Sequence, residues 1–412
     1  MKGKSFSYVI NEEIKVILCR NKERYFFLDL SSGICAEIDY SCYEILKIWN
    51  GLNDNYVISE LKNNIDENVI KNTLNEFKNL NGNSTFKKYN EKHKKGFENL
   101  WLHITNKCNM NCEYCFHSDG KKIDLDNDMS LYTAMKAVDF FIKNVGSTLV
   151  NVQFIGGEPT VNFNLLVKIV KYINKKTRSQ GIRVAYSLTT NAVNITNDMV
   201  DFFHKNKFKI TISIDGDKEN HNIYRKLKNG LGSHSKVEEG IKLLRGKMDF
   251  ITAKITLTKK TISNFSSIID YIFNLGFDSI SYQFVGSSSF DFSIDEELFL
   301  NYKSDLNNVL NNFKDNILSG EFKIVDRIIG WMQKIYKKPI RNECTIFSER
   351  KLVVDTNGNF YRCEMAVGNG DFVIGNIKDG IKQNEFKPPI PPLLKERPIC
   401  KDCWLNTYCD GG

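Results

Sequence analysis

Between residues 99 and 290 the chain alternates six strand-like segments with amphipathic stretches, and this alternation leaves few folds open. The strand candidates are NLWLHIT (99–105), VNVQFIG (150–156), RVAYSLTT (183–190), FKITISID (208–215), ITAKITLT (251–258) and SISYQFVG (279–286). Between them, LYTAMKAVDFFIKNV (131–145) and LLVKIVKYINKK (165–176) repeat apolar residues every three or four positions, the period of a helix with one buried face. Strands alternating with such helices predict an α/β fold with a parallel sheet, best met by a partial (β/α)6, TIM-like barrel. In barrels of this kind the loops after the C-terminal ends of the strands carry the chemistry.

The loop after the first of these strands reads KCNMNCEYCF and places Cys108, Cys112 and Cys115 with three and then two residues between them. The chain has eleven cysteines, an odd number at irregular spacing behind a start that has no secretory h-region, which argues against a disulfide framework. Thiolates at this density select zinc or an iron-sulfur cluster. A tetrahedral zinc site would need a fourth ligand, which His117 could supply, whereas on a 4Fe-4S cluster three thiolates leave one iron open. Cys19, Cys35 and Cys42 sit among apolar neighbours and read as small buried hydrophobes. A second group, Cys344, Cys363, Cys400, Cys403 and Cys409, closes the sequence.

Composition narrows the function classes. Of 412 residues 42% are hydrophobic, enough for several cores, and the charge of +8 (57 Lys and Arg against 49 Asp and Glu) is spread rather than striped. Nothing demands a nucleic-acid partner, and no stretch approaches the roughly 18 apolar residues of a spanning helix. The expectation is a soluble cytoplasmic protein without a membrane partner. Five domain segments follow: 1–86 with short strands then helices, a polar linker at 87–97, the barrel at 98–290, a helical bridge at 291–340 and a cysteine-rich region at 341–412.

The C-x3-C-x2-C loop of Cys108, Cys112 and Cys115 resembles the signature of the radical S-adenosylmethionine (SAM) enzymes, and further segments agree with it. Gly156-Gly157-Glu158-Pro159, after the second strand, is similar to the GGEP segment that contacts the SAM amino group in that family. Thr189-Thr190-Asn191 follows the third strand, and Ser213-Ile214-Asp215-Gly216 the fourth, with His221 and Arg225 close behind. The resemblance implies that Cys108, Cys112 and Cys115 hold a 4Fe-4S cluster and that Tyr114 packs beside SAM. It further implies that Ser187, Thr189, Asn191, Ser213 and Asp215 serve the cofactor's ribose and polar groups, and that Arg225 pairs with its carboxylate, a task suited to a guanidinium. Hydroxyls and an Asp at strand ends are also what helix caps look like. The family reduces its cluster with an external electron, here expected from a flavodoxin- or ferredoxin-type donor. Cleavage of SAM then gives a 5'-deoxyadenosyl radical that abstracts hydrogen.

Toward the C-terminus VVDTNGNFYRC predicts a hairpin turning at Asn357-Gly358, and five of the seven prolines fall between 388 and 398. Taken alone, Cys400, Cys403 and Cys409 suit a zinc knuckle or a redox pair. With Gly358-x4-Cys363 before them they resemble the SPASM extension, which implies one or two auxiliary 4Fe-4S clusters, Cys344 and Cys363 on the first and Cys400, Cys403 and Cys409 on the second. That pattern continues with a cysteine where position 413 would fall, so a longer chain is expected.

Residues 1–86, with YFFLDLSSGICAEIDYSCYEIL, resemble the winged-helix-like peptide-recognition element of ribosomal peptide maturases, which binds a leader peptide by strand addition. NGLGSHSKVEEGIKLL (229–244) resembles the matching segment of maturases that join cysteine sulfur to carbon. The expected function is a radical SAM maturase that installs thioether links in a ribosomally made precursor peptide. Asp215 and Glu238 stand equal as candidate bases. The alternatives are a carbon-carbon crosslinking maturase, a protein oxidase resembling the sulfatase-maturing enzymes, and, outside enzymes, an iron-sulfur electron carrier or scaffold.

Overall fold

A computed structural model of the chain describes residues 6–11, 16–21, 24–29, 35–82, 96–115, 124–286, 294–320, 323–336 and 349–382. It divides into two compact units, one built on residues 1–93 with 330–342 and 391–412, the other on 94–329 with 343–390. His117, Cys344, Cys400, Cys403, Cys409 and the proline-rich stretch lie outside the described residues, as does most of the linker.

In the first unit β1 (Phe6–Asn11), β2 (Val16–Asn21), β3 (Arg24–Asp29) and β4 (Cys35–Ile38) form an antiparallel meander. Three helices follow: α1 (Tyr40–Ile48), α2 (Asp54–Leu61) and α3 (Glu67–Gly82). Helix α1 begins where the Asp39 carboxylate accepts from the Cys42 N–H at 2.8 Å. It ends where Asn11 Nδ2 donates to the carbonyls of Leu46 and Trp49 at 2.8 and 2.7 Å, which satisfies acceptors the helix leaves open. Val16, Leu18, Phe27, Ile45, Leu46, Trp49, Ile70 and Phe77 make the core of this unit. Cys42 packs against it, half-buried, and burial pushes its thiol up to about 11, as for a small hydrophobe.

The second unit is built on six parallel strands, β5 (Asn99–Thr105), β6 (Leu149–Gly156), β7 (Arg183–Thr190), β8 (Lys209–Ser213), β9 (Ile251–Leu257) and β10 (Ser279–Phe284). Each pairs with the next in sequence order, as expected of a partial barrel. Crossovers run through α4 (Leu131–Lys143), α5 (Phe163–Arg178), α6 (Asn197–Lys205), the short α7 (Lys218–Asn222), α8 (His234–Arg245) and α9 (Phe265–Asn274). Alternate strand residues such as Leu102, Phe154, Leu188, Ile212, Ile255 and Tyr282 are buried in one continuous core with the helices. The opposite face carries Trp101, His103, Gln153, Thr189, Ser213, Lys254, Thr256 and Gln283, which line one cavity. For residues of all six strands to line one cavity, the sheet must wrap around it.

Two additions were not evident from the alternation. After α10 (Glu296–Leu318), β11 (Ile324–Val325) adds a parallel strand beside β10 and leads into α11 (Asp326–Tyr336). On the other edge β12 (Lys351–Val354) runs parallel to β5, and β13 (Asn359–Tyr361) returns antiparallel to β12. The hairpin therefore extends the sheet. Its turn holds because the Asp355 carboxylate accepts from the backbone N–H groups of Asn357 and Asn359, and Gly358 takes φ +86°, a conformation that favours glycine. Among the described residues no helix is long and apolar enough to cross a membrane.

Candidate active site

The site lies at the C-terminal ends of the six strands, in a cavity of about 290 Å³. Cys108, Cys112 and Cys115 line it, on the loop that leaves β5. The Asn191 amide and the Met110 N–H point at the Cys108 sulfur, at 3.8 and 3.4 Å. Burial pushes the Cys108 thiol up to about 12 and the Cys112 thiol up to about 11, against the pull of Arg225 on the latter. Their thiolate forms would be favoured by a positive centre placed between them. Among the described residues no three His, Cys, Asp or Glu groups stand together as a formed metal site.

Gly156 and Gly157 have a structural reason that the sequence does not display. A Cβ on Gly156 would lie 2.1 Å from the Thr105 carbonyl oxygen, and one on Gly157 2.4 Å from those of Asn106 and Lys107. The pair lets the end of β6 press backbone to backbone on the root of the cysteine loop, where the Gly157 N–H donates to Thr105 O at 2.9 Å and the Glu158 N–H to Lys107 O at 2.8 Å. Gly156 has φ +150°, so Gly156→Ala adds backbone strain to the clash, and a loss of about 3 kcal/mol or more in urea unfolding is expected. A midpoint unchanged from wild type would refute that role.

Glu158, 1% exposed, binds inward. Oε1 accepts from Thr160 N at 3.0 Å, Thr160 Oγ1 at 2.7 Å and Thr190 Oγ1 at 2.8 Å, and Oε2 from Asn191 N at 2.6 Å. Burial raises its pKa and these bonds oppose the rise. Glu158 thus ties the end of β6 to that of β7, and Asn191 carries the tie to the cysteine loop by donating to Asn109 Oδ1 at 2.7 Å.

Beyond β8, Asp215 and Arg225 form a buried ion pair, Nε to Oδ2 at 2.8 Å. Asp215 also accepts from the Tyr114 hydroxyl and, through Oδ1, from the Thr256 N–H at 2.9 Å. The Arg225 guanidinium lies over the Tyr114 ring, 5.4 Å from its centroid. Behind them the Asp215 N–H donates to His221 Nδ1 at 3.3 Å. The imidazole proton is then on Nε2 and is given to Ser233 Oγ at 2.9 Å, and the Ser233 hydroxyl donates to the Arg225 carbonyl at 2.9 Å. Burial, then the nearby Arg225 charge, holds His221 well below the usual histidine range. Unfolded His221 takes a proton near pH 6.5 and folded His221 does not, so stability is lost as the pH is lowered. From pH 7.5 to 5.5 this one residue should cost about 1.4 kcal/mol. A pH dependence in His221→Gln as steep as in wild type would refute the assignment.

Of the residues singled out from the sequence, Cys108, Cys112, Tyr114, Cys115, Gly156, Gly157, Glu158, Thr189, Asn191, Ser213 and Arg225 line the cavity together. Pro159, Ser187 and Asp215 are not among its lining residues. Glu238 accepts from Tyr271 OH at 3.3 Å and faces His234 at 3.5 Å, away from the lining, and Asp215 is held by Arg225. Neither carboxylate offers the cavity a free base. The structure adds Trp101, Gln153, Lys254, Thr256, Gln283, Glu364 and Met365. For those on the strands the signal was present, since ITAKITLT and SISYQFVG put polar residues at every second position.

Comparison with known proteins gives one family match. Residues 102–272 match the model of the Radical SAM superfamily domain. Such a domain implies SAM and a 4Fe-4S cluster as cofactors, and the donor set found here, three thiols opening on one cavity, fits that group.

Among relatives, an uncharacterized protein of Methanocaldococcus jannaschii is 29% identical over 314 residues, 76% of this chain and 98% of its own. A cysteine-type anaerobic sulfatase-maturating enzyme of Clostridium novyi is 28% identical, covering 74% and 84% of the two chains. The fold is shared with native anSMEcpe with bound AdoMet (TM-score 0.66, 23% identity, 76% and 88% covered). It is shared over more of the chain with Streptococcus suis SuiB bound to precursor peptide SuiA (TM-score 0.52, 16% identity, 98% and 95% covered).

Proposed function

We propose that the chain is a radical SAM peptide maturase that installs intramolecular thioether links, from cysteine sulfur to carbon, in a ribosomally made precursor. The observation that carries this reading is one cavity lined by Cys108, Cys112 and Cys115, by the glycine-rich end of β6, by Arg225, and by Glu364 and Met365 next to Cys363. When bound, the cluster and SAM supply a 5'-deoxyadenosyl radical.

The chain's own residues do the rest. Cys108, Cys112 and Cys115 ligate, and the segment from Gly156 to Pro159 offers its backbone to the SAM amino group, since the Glu158 side chain is already spoken for. Thr189, Asn191 and Ser213 address the ribose and polar groups, with Ser187 one step lower on β7. Arg225, oriented by Asp215 and stacked on Tyr114, takes the carboxylate. The strand walls keep water from the radical.

Each thioether forms as one carbon–hydrogen and one sulfur–hydrogen bond are broken and one carbon–sulfur bond is made. The hydrogen atom goes to the 5'-deoxyadenosyl radical, the thiol proton to solvent and the remaining electron to an iron-sulfur acceptor; Cys344 and Cys363 would hold one auxiliary 4Fe-4S cluster and Cys400, Cys403 and Cys409 a second, which would supply that acceptor. Cys363 stands beside cavity-lining residues, a favourable place for that electron's exit. The leader peptide is proposed to pair with an edge of the β1–β4 meander, and a small flavodoxin- or ferredoxin-type protein to supply electrons. The solved structure titled with a bound precursor peptide aligns with nearly the whole chain, and this favours a peptide substrate.

The sulfatase-maturating relatives favour a second reading, oxidation of a single residue in a protein. Co-expression with a cysteine-containing small peptide encoded beside the gene, followed by thiol alkylation and mass spectrometry, separates the two. Loss of two hydrogens per link with the matching cysteines protected supports thioethers. The same loss with every thiol still alkylated refutes them in favour of carbon-carbon linkage or dehydrogenation.

A further inference from the structure

We propose that Lys254 seats a carboxylate of the substrate, an aspartate or glutamate side chain of the peptide, beside the reacting position. The inference rests on the peptide-maturase reading and deepens it to a substrate class.

Four charged side chains line the cavity: Glu158, Arg225, Lys254 and Glu364. Three are matched within the protein. Glu158 accepts four hydrogen bonds, Arg225 is paired with Asp215, and Glu364 accepts from Lys351 Nζ at 2.5 Å, with that ammonium 3.5 Å from the Trp101 ring centroid. The Lys254 carbonyl accepts from the Ile214 N–H at 3.1 Å, but its ammonium has no hydrogen bond or ion pair among the described residues; the Glu364 carboxylate, itself bonded to Lys351, acts on it only through charge, against the like charges of Arg225 and Lys351. Its place is set by the strand, since β9 turns Ile251, Ala253, Ile255 and Leu257 into the core and so turns Lys254 and Thr256 to the cavity. Its parallel neighbours across the sheet are Ser213 and Ser281, which bring no charge.

A half-buried ammonium that only a carboxylate already bonded to Lys351 compensates through charge recovers little of its lost hydration until a second anion arrives, so such a group is a seat waiting for one. Burial does lower the Lys254 pKa, and a bound carboxylate would reverse that loss. One ammonium suits a singly charged anion, and carboxylates are the anions an unmodified peptide carries. Gln283, on the next strand and with a side chain also without a hydrogen bond among the described residues, offers an amide to the peptide backbone at the same wall.

The test uses the full chain with its cluster reconstituted under reducing conditions, and two readouts. The first is SAM affinity in wild type, Lys254→Met and Lys254→Arg. Values within about threefold of one another are expected, whereas a tenfold loss in Lys254→Met would assign the residue to the cofactor's own carboxylate and overturn the proposal. The second is the rate of 5'-deoxyadenosine formation as N-acetyl-aspartate methylamide or N-acetyl-asparagine methylamide is added. The aspartate probe should reach half-effect at a concentration at least tenfold lower in wild type. Lys254→Met should lose that preference and Lys254→Arg should keep part of it. Equal half-effects for the two probes in wild type, or a preference untouched in Lys254→Met, would overturn the seat. Wild type that forms no 5'-deoxyadenosine at all would sink the radical SAM reading itself, a failure distinct from either.

Discussion

Replacing Cys112 with alanine should lower SAM-dependent 5'-deoxyadenosine formation at least about a thousandfold, to background, while leaving the fold intact. The three cysteines of the loop are the only ones among the described residues that line the cavity, so among those residues no fourth thiol stands ready to replace one of them. Two thiolates do not hold a cubane against loss to solvent. The Cys112 side chain is half-buried and belongs to none of the apolar cores, so the truncation should cost about 1 kcal/mol or less in urea unfolding. The decisive pattern is loss of iron and turnover with an unchanged midpoint. Full turnover in Cys112→Ala would refute the radical assignment, and a collapsed midpoint would mean that the loop is a folding element first.

The largest stability effect is expected at Asp215. In Asp215→Ala the Arg225 guanidinium stays buried, 8% exposed, with its counter-charge gone, while the Tyr114 hydroxyl and the Thr256 N–H lose their acceptor. Breaking a buried pair from one side costs about 3–5 kcal/mol, far more than an exposed pair would. Burial works against the Arg225 charge and Asp215 offsets it, but the guanidinium is intrinsically too basic to lose its proton and so remains charged after the carboxylate is removed. Asp215→Asn, which keeps the shape and one acceptor, should fall between the two. Urea unfolding of the three forms without iron measures this directly. A loss under about 1 kcal/mol for Asp215→Ala would show that Arg225 escapes to solvent and that the pair does not hold the loop after β8.

The six barrel strands were legible because they are long, β-branched and bounded by helices with a clear apolar period. RVAYSLTT and NLWLHIT match their strands residue for residue. FKITISID was read too long, since the strand stops at Ser213 so that Asp215 can turn back to Arg225. The strand Ile324–Val325 was missed because two residues carry no period of their own. The turn at Asn357-Gly358 was readable from turn chemistry, but nothing local said that Lys351–Val354 would pair with Asn99–Leu102, some 250 residues earlier.

The same division runs through the site. Local spacing alone put three cysteines on one loop after a strand, and strand-helix alternation alone put that loop at the mouth of a parallel sheet. What each neighbouring group does was decided only by the tertiary structure. Glu158 and Asp215 look alike in the sequence as carboxylates at strand ends, yet both are spent inside the protein, one on four hydrogen bonds and one on Arg225. Lys254 looks like any strand lysine, and only its position beside carboxylates already bonded elsewhere leaves its ammonium without a hydrogen-bonded counter-ion among the described residues. The physical reason is range. Backbone preference and apolar period act over a few residues and are written in the local sequence, whereas the partner of a buried charge is chosen by whichever strand the fold brings alongside.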